Sequence, residues 1–149
     1  MLVLALLALA SPMLVAADRG GRAEYAGGTA EQFRSGEDGA IFTTHRSLLF
    51  FVTKNKKLAV PYENVNLLEY GQKVSRRYVM SVLVSPLLLM AKSRKHFLTL
   101  GYTDEEGNQQ ALVFRLKKED IRATLAALEA RTGVKVTYQD EEARKGGKG

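Results

Sequence analysis

The chain has 149 residues, 46% hydrophobic and 26% charged, which suits one ordinary globular domain burying roughly two thirds of its unfolded surface without covalent staples. It contains no cysteine, and this excludes a disulfide framework, a thiolate metal site, a cysteine nucleophile and a lipid-modified cysteine. The formal net charge is +6; the window 73–96 holds six basic residues (Lys73, Arg76, Arg77, Lys92, Arg94, Lys95) and no acid, so the remainder sums to zero and the basicity is local.

Met1 to Ala17 is apolar apart from Ser11 and ends in Val15-Ala16-Ala17, small residues where a signal peptidase reads. It reads as an export signal (1–17) with Asp18 starting the mature chain, although no Lys or Arg precedes the apolar run. An uncleaved N-terminal anchor is the alternative, since 17 residues lie at the lower limit for a span. Either way the domain is expected outside the cytoplasm, periplasmic or extracellular and in contact with the envelope.

Residues 18–38 are Gly-rich and polar, with Gly20-Gly21 and Gly27-Gly28 around Ala23-Glu24-Tyr25, which predicts a loosely held lead-in with one short strand at most. The domain proper is expected over 39–138. Strand-like runs follow at Ala40–Thr44 and at Leu48–Thr53, where consecutive apolar residues predict burial on both faces, with His45-Arg46 as the turn between them. Asn55 marks the next turn; Leu58 and Val60 then alternate with Lys57 and Ala59 up to Pro61, which suits a strand end or edge, and Asn64–Gln72 makes a further run.

Beyond the basic window the alternation is cleanest. Leu98, Leu100 and Tyr102 share one face of a strand, Asp104–Asn108 supplies a hairpin loop, and Gln110, Leu112, Phe114 and Leu116 share one face of the return strand. Glu119–Arg131 reads as a helix, with Ile121, Leu125 and Leu128 on one stripe and Gly133 as the stop. Val134, Val136 and Tyr138 suit a short strand, and the charged, Gly-rich tail (139–149) is predicted to be disordered.

Six or seven short antiparallel strands closed by one amphipathic C-terminal helix resemble the pleckstrin-homology (PH-like) superfold, a bent barrel plugged by that helix. Gly39-Ala40-Ile41-Phe42-Thr43-Thr44 followed by Ser47-Leu48-Leu49-Phe50 is similar to the opening strand pair of GRAM and bacterial PH-like domains. Leu58-Ala59-Val60-Pro61-Tyr62-Glu63-Asn64-Val65 resembles their next strand and turn, and the resemblance covers roughly Gly36 to Thr132. It implies a mainly β fold, while fold-level analogy does not supply a function. Where phosphoinositide-binding members place basic residues, after the first strand, this chain offers only His45 and Arg46, so no binding residue is carried over.

Within the basic window, Val79 to Ala91 would span about 20 Å as a helix, short of a hydrocarbon core of about 30 Å. Ser85-Pro86 divides it, so Tyr78–Val84 is expected to continue a strand and Pro86 to about Ser93 to form a short helix or apolar loop. Leu87, Leu88, Leu89 and Met90 are consecutive and cannot all face one core. Three readings stand side by side: the run packs within its own barrel; it dips as an apolar tip into an anionic membrane interface while the six flanking bases meet headgroups; or it forms a groove for a protein partner or a second copy.

No nucleophile elbow, phosphate loop or dinucleotide fingerprint occurs, and His45 and His96 lack a metal-ligand spacing, so neither an enzyme, a metal nor a cofactor is expected. Asp104–Asn108 lacks the alternate ligands and distal Glu of a calcium loop. Nucleic acid is not expected as a partner either, because only Tyr78 and Phe97 offer stacking surfaces near the bases.

Overall fold

The computed structural model describes residues 19–74 and 95–148. Eight strands form one mixed sheet: β1 (Gly21–Gly28), β2 (Glu37–Phe42), β3 (Leu48–Thr53), β4 (Lys57–Pro61), β5 (Val65–Gly71), β6 (Phe97–Thr103), β7 (Gln109–Leu116) and β8 (Val136–Tyr138). Helix α1 (Ile121–Thr132) follows β7 and helix α2 (Glu141–Lys148) follows β8. The spatial order is β4-β3-β2-β1-β7-β6-β5-β8, antiparallel throughout except for the parallel pair β5–β8.

The connection between β4 and β5 dictates the curvature. Six strand spacings separate them in the sheet, about 29 Å if it were flat. Yet only the 3₁₀ turn Tyr62–Asn64 joins Pro61 to Val65, a reach of at most about 14 Å. The open sheet therefore curls around its core. That core contains Tyr25, Phe33, Phe51 and Phe114, with the Phe51 and Phe114 rings 4.8 Å apart, and α1 adds Ile121, Leu125 and Leu128 to it.

The β6–β7 hairpin has the expected register, with Leu98 opposite Phe114, Leu100 opposite Leu112 and Tyr102 opposite Gln110. Asp104 shapes its turn by accepting the N–H groups of Glu106 and Asn108. Pro61 ends β4, which lies at the edge of the sheet, where a missing N–H leaves no gap in a ladder. Helix α1 starts at Ile121, two residues later than expected; Lys118–Asp120 form a 3₁₀ turn, and Gly133 ends α1 at φ 74°, donating its N–H to Glu129.

Several expectations are corrected. The lead-in is not loose: β1 is eight residues long and sits between β2 and β7, with Ala23, Tyr25 and Ala26 buried. Its glycines lack β-propensity but admit close neighbours, the Ala111 carbonyl at Gly28 and Thr124 at Gly21. Leu48–Thr53 is buried on one face only, through Leu49, Phe51 and Thr53. The tail is not disordered over 141–148, because α2 buries Ala143 and Gly147. Among the described residues there are eight strands rather than six or seven, and two helices rather than one.

Candidate functional site

Strands β5 and β6 are bonded neighbours, and their last described ladder pair is Gly71 with Phe97. Paired Cα atoms lie about 5 Å apart, so the connection 72–96 leaves the sheet and returns to it at one place. It is far longer than the two to five residues typical of a hairpin loop. Its root is fastened in two ways. Val74 is buried against Ala26, Phe97, Ala111 and Val113 in a second apolar cluster. The Gln139 side chain accepts the Lys73 N–H (3.4 Å), donates to the Lys73 carbonyl (2.7 Å) and donates to Glu69 (3.0 Å), while its backbone N–H bonds Tyr70. Gly71 leaves room for the Gln139 amide, which a Cβ there would displace.

Of the residues singled out in the sequence, Lys73 and Lys95 are described; Lys73 is exposed and Lys95 half-buried. Arg76, Arg77, Leu87, Leu88, Leu89, Met90, Lys92 and Arg94 lie outside the described residues, as do Met1–Ala17 and the division at Ser85-Pro86.

The topology adds residues that sequence reasoning left out. The N–H of Leu116 donates to the His96 carbonyl (2.7 Å) and that of Lys117 to Arg22 (3.1 Å), so the exposed pair Lys117-Lys118 comes to the root of the connection from the end of β7. Arg22 is engaged by Asp120 (2.8 Å) and Glu119 (3.4 Å), which holds the Asp120 carboxyl below the usual range. Lys73, Lys95, Lys117 and Lys118 form no ion pair among the described residues. The Lys-Lys doublet was visible in the sequence, but its proximity to Lys95 follows from the β6–β7 pairing.

His96 lies at the same root. Its ring is parallel to that of Tyr70, with centroids 6.0 Å apart, and its Nδ1 is 2.6 Å from the Tyr70 hydroxyl. Burial and, secondarily, the Lys118 charge hold the His96 pKa below its ordinary value; burial pushes the Tyr70 phenol up to about 12. His45, by contrast, shapes a turn, its Nδ1 accepting the N–H groups of Ser47 and Leu48 at 3.1 Å each. On the back of β1 and β7, Glu24 pairs with Arg115. Among the described residues no cluster of His, Asp and Glu suits a metal ion, and no helix is long and apolar enough to cross a membrane. No protein-family model and no curated protein matches the chain.

Proposed function

We propose that the protein is a non-catalytic binding module of the cell envelope that meets an anionic membrane surface through the 73–96 connection. Lys73, Arg76, Arg77, Lys92, Arg94 and Lys95 supply the charge and Leu87 to Met90 the apolar tip. The observation that carries this reading is the Gly71–Phe97 pair: it roots both ends of the connection at one place, so the two basic clusters start from a common base. Lys117 and Lys118 add to the same potential. Each base near such a surface contributes about 1 kcal/mol, enough in combination for reversible binding.

The reading includes a PH-like bent barrel. It is supported by the order β4-β3-β2-β1-β7-β6-β5, by the curl that the β4–β5 link demands, and by α1 following β7 directly with its apolar stripe in the core. β8 and α2 are then additions at one edge. Export rests on the apolar run Met1–Ala17.

Co-sedimentation with neutral and anionic vesicles at low and high salt tests the proposal. Pelleting with anionic vesicles alone, weakened by salt, is expected, and replacing Leu88 and Leu89 by Ser should weaken it further without unfolding the protein. A folded protein that stays in the supernatant throughout sinks the membrane reading. A second reading, strand addition by a protein partner or another copy, draws on β4 being a sheet edge, and it predicts association that salt leaves unchanged.

A further inference from the structure

Charge alone does not account for His96 at the root of the connection. Tyr70 is 1% exposed, and with its phenol pKa near 12 the hydroxyl keeps its proton under physiological conditions. A buried phenolic proton needs an acceptor, and among the described residues the hydroxyl's partner is His96 Nδ1 at 2.6 Å. Nδ1 therefore carries a lone pair, and the neutral imidazole holds its proton on Nε2. Nε2 makes no hydrogen bond among the described residues, and His96 is half-buried. Tyr70 thus acts as a positioning residue that leaves Nε2–H as the ring's available donor.

The surroundings of this donor are cationic. Lys95 precedes it in the chain just before β6, Lys117 and Lys118 follow β7, and Lys73 follows β5 across the Gly71–Phe97 pair. The nearby acids are occupied: Glu119 and Asp120 by Arg22, and Glu69 by Gln139. From β8, Tyr138 packs edge-on against Tyr70 and adds no charge.

We propose that His96 Nε2–H, Lys95 and Lys118 form a binding site for a phosphate group. One phosphate oxygen accepts the imidazole N–H while the two ammonium groups neutralise the dianion. The inference rests on the anionic-surface reading for its setting and specifies the chemistry recognised there. The phosphate belongs either to a lipid headgroup or to a free anion. Bound phosphate offsets the Lys118 charge, so it raises the His96 titration midpoint.

Imidazole ¹H–¹⁵N NMR of the full chain, titrated with inorganic phosphate against chloride at matched ionic strength, tests the site. The expected result is an Nε2–H tautomer in the free protein, a saturable phosphate-dependent shift of the His96 nitrogens and a raised midpoint, with His45 unmoved as internal control. Lys118→Ala, an exposed position whose replacement leaves the fold intact, should weaken phosphate binding about fivefold. Vesicles of equal charge carrying phosphatidic acid or phosphatidylserine separate the sources. Preference for the phosphomonoester lipid assigns the headgroup. A phosphate shift without vesicle binding assigns a free anion, leaving this site standing while the membrane reading fails. A proton on Nδ1 in the free protein, or shifts that chloride reproduces, overturns the site.

Discussion

The back of β6 is covered and the back of β3 is half open, although both strands belong to one sheet. Residues Phe97 to Gly101 of β6 are all buried, with Val113 of β7 and Ala26 of β1 at 0% exposure beside them. In β3 the buried residues alternate, and Leu48, Phe50 and Val52 remain half-exposed. A second apolar cluster, anchored by Val74, stands behind β6. Behind β3, the Phe50 ring is shielded by the Lys57 ammonium 3.9 Å from its centroid and by the His45 edge. A lysine lying over a ring keeps its charge in water while its stem covers apolar surface, so this face tolerates solvent without a packed layer. Burial of a strand's second face is thus set by what the neighbouring elements place there.

A charge placed on each back face separates the two strands most. Val113→Lys should cost more than about 3 kcal/mol or prevent folding, because it strands an ammonium in the second cluster. Val52→Lys should stay within about 1 kcal/mol. Equal losses for the two in urea denaturation would erase the distinction. Truncation gives a smaller contrast: Phe97→Ala, emptying a buried position on the back of β6, should cost about 3–5 kcal/mol, against about 1 kcal/mol or less for Leu48→Ala on the back of β3.

The smallest effect concerns charge at the far ends of β2 and β3. Glu37 has its pKa lowered to about 2, first by the Lys56 ammonium at 2.8 Å and then by the Arg34 N–H and the Thr53 hydroxyl. A folded pKa below the unfolded value contributes stability at pH above about 4.5 that is lost as the pH falls towards 2. Thermal melts across that window should show a smaller acid loss for Glu37→Gln than for the unaltered protein. Parallel pH curves for the two would show that Lys56 contributes nothing there.

Legibility followed local chemistry. The β6–β7 hairpin was readable because alternation and a Gly-containing acidic turn both report on backbone conformation within a few residues. The α1 stripe was readable for the same reason. β1 was not, because Gly-Arg-Ala-Glu-Tyr-Ala-Gly-Gly has the composition of a loop and becomes a strand only when β2 and β7 bond it from either side. The tail was misread likewise: its charges mark solvent exposure, but Ala143 and Gly147 are small enough to lie against the sheet's core.

For the candidate site, the charge is legible in the sequence: six bases without an acid around an apolar run too short to span a membrane as a helix. Legible too are the elements whose signals are local, from the β3 strand to the α1 stop at Gly133. That Gly71 meets Phe97, that Lys117-Lys118 arrives beside Lys95, and that Tyr70 meets His96 across 26 residues are properties of the folded sheet. Those proximities arise from pairing between strands remote in the chain. Periodicity specifies which face of a strand is apolar, whereas the partner and register of that strand follow from closing the curled sheet around one core.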